Sequence, residues 1–460
     1  MTDTQSNDGG PRSATSVTDT ADFLFYVLAG DRPSGHSSRH SLAGIDEVLI
    51  TRGDPQGWLR EGGRLTLSFD DRWMSARHAR LYRREAHWQL DCSQAKNGGY
   101  QNGTCVTEAL LGDGDVLELG HSFFMVRAAQ PSPPGAQLDV SATALDATAA
   151  GLRSLSPRLS MLFEALLAVA PSGLPLVITG ETGTGKELLA RAVHERSRRR
   201  GPFVAVNCGA LPETLVESEL FGVRRGTFSG SVEDRPGLVR AADQGTLFLD
   251  EVVELTPSAQ TALLRVLQER EVLTLGSTRP VPVDFRLMVA SHCDLDDAVA
   301  SGRFREDLRA RLQGFTVRLP PLRERREDLG LILGAIATSG AIGEPLLISR
   351  MAAQELLGRP WKRNIRELER CLHVAMTLAR NDVIEPHHLN GALSPEPSLP
   401  SVSRPTKRLD ATSVARRERL DGLLKQHRGN VTRVAQALGK PRVQVYRWLK
   451  RYGLDALTYR

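Results

Sequence analysis

The stretch GETGTGKE at residues 180–187, with GTLFLDEV at residues 245–252, decides the fold of the central part of this chain. The first stretch follows an apolar run, 175–179, that suits a strand, and precedes a helix-compatible run, 187–195. Strand, glycine-rich loop and helix in that order are the context of a P-loop. Gly180, Gly183 and Gly185, with Glu181, Thr182 and Thr184 between them, allow backbone N–H groups to turn inward and cradle phosphate oxygens. Lys186 supplies a cation for the β- and γ-phosphates, and the helix that begins around Glu187 adds the dipole of its N-terminus. The second stretch reads as a buried strand, 246–249, ending in two adjacent carboxylates, Asp250 and Glu251. Asp250 at a strand tip can hold Mg²⁺ through water, and Glu251 can polarise an attacking water. A glycine-rich loop alone is often an ordinary turn. The two motifs on two strand ends describe binding and hydrolysis of a nucleoside triphosphate, with ATP and Mg²⁺ as the expected cofactors.

At 460 residues the chain is long enough for roughly three domains, each with a core of its own. Cys92, Cys105, Cys208, Cys293 and Cys371 are scattered, with no C-x-x-C pair, and read as reduced thiols of a cytoplasmic protein. No apolar run approaches the ~18 residues of a membrane span, so a soluble chain with no membrane partner is expected. Residues 1–20 are rich in Thr, Ser, Asp and Gly and read as a disordered tail. The net charge of +5 means little until it is located. Residues 406–460 hold fourteen Lys and Arg against four Asp and Glu, a net of +10, which leaves −5 on the rest. A polyanion partner for that last segment is indicated, against the plainer reading of a solvated basic tail.

Two linkers divide the chain. One, 131–154, begins in the run QPSPPGAQ; the other, 394–411, carries Pro395, Pro397, Pro400 and Pro405 among serines. Before the first, residues 21–130 show short strand-like runs at 47–50, 64–68, 87–90 and 123–126 between Gly, Asp and Asn turns, the texture of a β-sandwich. Between the linkers an α/β stretch, 155–323, passes into a helical one, 324–393. In 412–460 the spacing of Leu420, Leu423, Leu424, then Val431, Val434, Ala435, Leu438, then Val443, Val445, Leu449 gives three short amphipathic helices. Asn430 suits an N-cap, Gly439 a helix stop, and Pro441 a first turn, so the last two helices form a helix-turn-helix. The final helix displays Arg442, Gln444, Arg447, Lys450 and Arg451 and no acid, which suits the DNA major groove. Gln444 and Arg447 are the candidates for base edges, Lys450 and Arg451 for phosphates; a helical bundle that binds nothing is the competing reading. The expected fold class is therefore multidomain: a β-sandwich, a central α/β P-loop domain with an α-helical lid, and an all-α helix-turn-helix.

Residues 155–393 resemble the AAA+ domain of bacterial enhancer-binding proteins, the activators of sigma-54 RNA polymerase. The resemblance rests on GETGTGKE, FVAVNC at 203–208, ESELFG at 217–222, GTLFLDEV, FREDLRARL at 304–312 and LPPLRERREDL at 319–329, in the family's order. Glu187 stands where a generic P-loop has Ser or Thr, as it does in this family. The resemblance implies that Asn207 restrains the catalytic glutamate and that Arg366 senses the nucleotide from the lid. It implies that Arg305 and Arg311 are fingers reaching a neighbour's γ-phosphate, which requires a ring, a hexamer; the competing reading makes them surface ion-pair partners. Two departures stand out. Lys362 and Arg363 follow Trp361 where the family has Pro-Gly, and ASHCDL at 290–295 has His292 in place of an amide while Ser291 keeps a hydroxyl. The family's polymerase-gripping loop corresponds to GTFSGS, with Gly226, Thr227, Phe228, Ser229 and Gly230 as its contact residues. An exposed aromatic between flexible glycines suits binding better than folding.

Residues 46–127 resemble a forkhead-associated domain, a reader of phosphothreonine. Arg52, Ser75, Lys96 and Asn97 would supply the guanidinium, hydroxyl and amide donors that a phosphate needs, and His78 would brace the loop. Thr51 and Gly99 replace the family's Gly and Thr, so a degenerate sandwich that binds protein without phosphate stays open. The C-terminal helices resemble a Fis-type module. The reading that follows is an ATP-hydrolysing activator that binds upstream DNA, takes input from a threonine-phosphorylated protein, and remodels sigma-54 holoenzyme to open promoters. The alternative is a DNA-binding regulator of ordinary polymerase that uses ATP for assembly only; a chaperone-like remodeller is disfavoured by the helix-turn-helix.

Overall fold

The computed structural model describes residues 19–30, 36–145, 150–227, 233–339, 346–380, 382–393, 420, 422–427, 431–438 and 445. It divides into two compact units, Met1–Leu393 and Ser394–Arg460.

In the larger unit a five-stranded sheet carries the central motifs. Its spatial order is Phe203–Asn207, Thr246–Asp250, Arg286–Ser291, Leu176–Thr179, Phe315–Arg318, with every neighbouring pair parallel. A parallel sheet needs cover on both faces, which is why its strands are near-continuous apolar runs. One face packs on Leu263, Leu267, Leu295 and Leu308. The other packs on Leu159, Phe163, Leu189 and Val193. The C-terminal strand tips therefore lie along one edge, where ligands of open α/β sheets bind.

The amino-terminal sandwich has sheets of seven and six strands. Residues alternating inward, such as Val48, Ile50, Leu65, Leu67 and Leu81, fill its core. Its first strand, Thr20–Ala29, is buried on both faces. Leu24 and Tyr26 point into the sandwich. Phe23, Phe25 and Val27, with Phe123 and Met125 from the neighbouring strand, instead join Leu329, Leu333, Leu356 and Leu372 in a core shared with the helical lid. The lid comprises Leu329–Ser339, Arg350–Gly358, Asn364–Ala379 and Pro386–Leu393. Its helix Leu329–Ser339 comes so close to the sandwich that a Cβ on Gly330 would lie 1.9 Å from the Val27 carbonyl oxygen. Sandwich and motor thus share apolar packing within one compact unit.

The segment expected to be a linker is partly structured. Asp139–Ser141 pairs with the strand Ser38–Ser41. Asp139 accepts from His40 at 2.7 Å and from Arg60 at 2.9 Å. The reason is physical: a strand edge of the sandwich and two side-chain donors, the His40 ring and the Arg60 guanidinium, lie within reach of the chain as it leaves the domain. In the smaller unit Leu420, Leu424, Val434, Ala435 and Val445 form an apolar cluster, and a helix spans Val431–Ala437.

Candidate functional site

The strand Leu176–Thr179 ends in the glycine-rich loop, and the helix Lys186–Glu195 begins directly after it. Lys186 is 6 % exposed. Its ammonium donates to the Gly180 carbonyl at 2.8 Å and the Glu181 carbonyl at 3.4 Å, and lies 3.8 Å from Glu251 Oε1. Thr184 is buried and donates to the Glu181 carbonyl. Glu187 is exposed and pairs with Arg191 one helical turn away.

Asp250 closes the strand Thr246–Asp250, and its Oδ1 accepts the Glu251 N–H at 3.1 Å. Burial pushes the Asp250 carboxyl above its ordinary range, against the pull of Lys186. A carboxylate in that position gains from a nearby dication. Among the described residues no three acidic, His or Cys side chains cluster as a metal cage. Glu251 stands in the left-handed region, φ 53°, a conformation that a non-glycine residue holds only where its surroundings dictate it. Its Oε2 accepts the His292 backbone N–H at 3.2 Å and lies 2.5 Å from His292 Nδ1.

Asn207 is level with Asp250 on the neighbouring strand, but its Oδ1 accepts the Ala210 N–H and caps a turn of its own. Arg305 is exposed and forks onto Asp307, at 3.0 and 2.7 Å. That carboxylate pushes the guanidinium further above its ordinary range. Arg311, also exposed, donates to the Leu267 carbonyl. Both sit on the surface at the helix Glu306–Arg311, bonded to Asp307 and Leu267 rather than to the phosphate loop.

The lid closes directly on the loop. A Cβ on Gly183 would lie 2.2 Å from the Arg363 carbonyl oxygen and 3.1 Å from Arg366 Cβ, so Arg366 stands beside the phosphate loop. The Ile365 N–H donates to the Gly183 carbonyl. Asn364, fully buried, donates to the Thr182 carbonyl and to Glu181 Oε2, both at 3.1 Å, and accepts the Leu322 N–H at 2.7 Å. Arg323 grips Glu181 with two bonds, at 2.8 and 2.6 Å. Arg323 and Asn364 hold the Glu181 carboxyl down at about 2. Buried Arg325 donates to the Thr184 carbonyl at 2.8 Å.

Residues 152–318 match the Sigma-54 interaction domain and 323–404 the AAA+ ATPase lid domain. The FHA domain matches 60–120, and a homeodomain-like domain matches 413–458. The transcriptional regulatory protein GlrR of Escherichia coli strain K12 is 40 % identical over 309 residues, covering 66 % of this chain and 68 % of GlrR. The response regulator protein PilR of Pseudomonas aeruginosa is 42 % identical over 308 residues, covering 65 % of this chain and 69 % of PilR. The chain belongs to the sigma-54 enhancer-binding regulators. A crystal structure of NtrX from Brucella abortus in complex with ATP aligns at 31 % identity over 66 % of this chain and 69 % of NtrX, with a TM-score of 0.48. This regulator is an AAA+ P-loop ATPase with FHA and helix-turn-helix domains.

In its FHA domain the regulator gathers the expected phosphate ligands at one end of the sandwich. The Arg52 N–H donates to the Ser75 carbonyl, and the Lys96 N–H to Ser75 Oγ at 3.1 Å. Asn97 donates to the Trp73 carbonyl. His78, 1 % exposed, accepts the Ser75 N–H at Nδ1 and so donates from Nε2 to the Gly98 carbonyl, tying the two loops together. Burial lowers its pKa.

Of the expected polymerase loop, Gly226 and Thr227 are described, while Phe228, Ser229 and Gly230 lie outside the described residues. Thr227 donates to the Arg224 carbonyl at 2.7 Å, and the Arg224 N–H donates to the Leu275 carbonyl. The loop base is thereby fastened to the hairpin Glu271–Val272/Val281–Pro282, which follows the helix Pro257–Glu269. The candidate DNA contacts Arg442, Gln444, Arg447, Lys450 and Arg451 also lie outside the described residues. Among the described residues no helix is long and apolar enough to cross a membrane.

Four residues of the ATP site were not singled out from sequence as making the contacts seen: Arg323, Arg325, Asn364 and His292. The first two lie within LPPLRERREDL and the third within WKRNIREL, yet nothing in spacing says that a lid residue will return to the phosphate loop. His292 was visible only as a departure from the family pattern.

Proposed function

We propose that this regulator hydrolyses Mg²⁺-bound ATP between subunits of a hexameric ring and uses the cycle to remodel sigma-54 holoenzyme at promoters. The observation that carries this reading is the linkage from the site to the loop base. Glu251 is followed by the turn Val252–Glu254, the helix Pro257–Glu269 and the hairpin to which Thr227 and Arg224 are fastened. A shift at the strand tip can therefore reach the base of the loop through this turn, the helix, the hairpin and the hydrogen bonds that fasten Arg224 and Thr227.

Lys186 would hold the β- and γ-phosphates, Asp250 the Mg²⁺ through water, and Glu251 would polarise the attacking water. The metal, when bound, would neutralise charge on the phosphate oxygens. Arg366, on the lid turn beside Gly183, would read the nucleotide from above. Arg305 and Arg311 are exposed and lean on their own surface, which suits donation to a neighbouring subunit's site. Upstream DNA would be held by the basic C-terminal helix, and a threonine-phosphorylated protein by Arg52, Ser75, Lys96 and Asn97. The protein would work in the cytoplasm.

Transcription run-off on a supercoiled template tests this reading. Transcripts are expected with sigma-54 holoenzyme and hydrolysable ATP, and none with a non-hydrolysable analogue. Transcription that depends on the protein only with ordinary holoenzyme would replace this reading with the alternative one.

A further inference from the structure

Glu251 has two partners, and they pull in opposite directions. The strand Arg286–Ser291 lies between the strand that leads into the phosphate loop and the strand that ends in Asp250. Its tip therefore lies between the start of the phosphate loop and the strand end that carries Asp250 and Glu251. Ser291 is fully buried and fixes the turn after it, donating to the Cys293 carbonyl at 2.7 Å and accepting the Cys293 N–H at 3.1 Å. That turn presents His292 to the carboxylate through both its backbone N–H and its ring. A carboxylate only accepts, so Nδ1 carries the hydrogen in this contact. The second partner is the Lys186 ammonium, 3.8 Å from the other oxygen. A Glu251 drawn onto Lys186 would occupy the cation meant for phosphate and would no longer face a water.

We propose that His292 is the positioning residue for Glu251: its paired donors hold Oε2 and leave Oε1 directed toward the phosphate-binding side. His292 makes both of these bonds to the carboxylate, while the hydrogen bond of Asn207, the residue expected to restrain the glutamate, is its side-chain oxygen accepting the Ala210 N–H. The left-handed backbone at Glu251, φ 53°, is the kind of conformation that surrounding structure holds at a functional site. The inference rests on the reading of Glu251 as the group that polarises water.

Steady-state ATPase kinetics of the full-length protein test it, with a fluorescent ATP analogue to measure binding. His292 is 43 % exposed, so its truncation should leave the fold intact. His292→Ala is expected to lower kcat roughly ten- to a hundredfold, as misplacement of a reacting group by about an ångström does, with KM and analogue affinity within about twofold of wild type. His292→Asn, whose amide can donate, is expected to recover most of the loss, and His292→Phe none of it. A His292→Ala protein with wild-type kcat, or a His292→Asn protein no faster than His292→Ala, overturns the proposal. Glu251→Gln separates the two claims. If it is inactive while His292→Ala is normal, only the positioning role fails; if it turns over like wild type, the water-activating reading fails as well.

Discussion

Lys186 is nearly buried and satisfies its ammonium on carbonyl oxygens of its own loop, with Glu251 Oε1 3.8 Å away, so the loop holds a cation at the phosphate site. Lys186→Ala is therefore expected to abolish nucleotide binding, measured by titration with a fluorescent ATP analogue, while thermal stability changes little. Retained binding would contradict the assignment. In the sandwich, Arg52 is exposed, and its backbone N–H donates to the Ser75 carbonyl. Arg52→Ala removes a charge-assisted contact of ~1.5–3 kcal/mol, which means roughly ten- to a hundredfold weaker binding of a phosphothreonine peptide to the full-length protein. Indifference of binding to the phosphate would leave the sandwich as a scaffold. At this scale the sequence was most readable. Phosphate and water chemistry restrict residue types so strongly that Lys186, Asp250 and Glu251 stand out by spacing. His292 did not, because a histidine can serve many ends and only the strand order shows what it meets.

Among elements, the contact between the lid turn and the phosphate loop matters most. Gly183, φ 81°, has no room for a Cβ against Arg363. Gly183→Ala should push the turn carrying Asn364 and Arg366 off the loop and weaken ATP binding, while loss confined to stability would argue against a nucleotide role for the lid contact. The Arg323–Glu181 pair is half exposed, so its removal should cost no more than about 1 kcal/mol, or roughly a fivefold loss of ATP affinity. Its pH behaviour is fixed by sign. The Glu181 carboxyl is held down at about 2, so the pair's contribution is present above the ordinary glutamate range and fades only as pH falls toward that value. The effect of Arg323→Ala on ATP affinity should therefore be flat between about pH 6 and about pH 8. Elements with a strong period or a bounded apolar run, such as Thr246–Asp250, were legible. The pairing of lid with loop was not, because it is made by buried polar groups whose partners lie far along the chain.

For the larger compact unit, the main result is that the sandwich and the lid share one core. The sequence carried a signal for this that the alternation rule passes over. Residues 23–28, FLFYVL, are apolar without a break, the mark of a strand covered on both faces. Phe25 is fully buried in the shared cluster. Phe25→Ala is expected to destabilise the unit by ~3–5 kcal/mol, seen as a lower denaturation midpoint for both sandwich and lid. Two independent transitions with only the sandwich shifted would mean that the domains are merely adjacent.

The central claim is that hydrolysis at Glu251 is spent on sigma-54 polymerase through the loop that carries Phe228. Open-complex formation by Phe228→Ala, measured with sigma-54 holoenzyme on a supercoiled promoter, tests it most directly. The account predicts that this variant keeps wild-type ATPase activity and DNA binding and forms no open complex. A Phe228→Ala protein that opens promoters as well as wild type would contradict it.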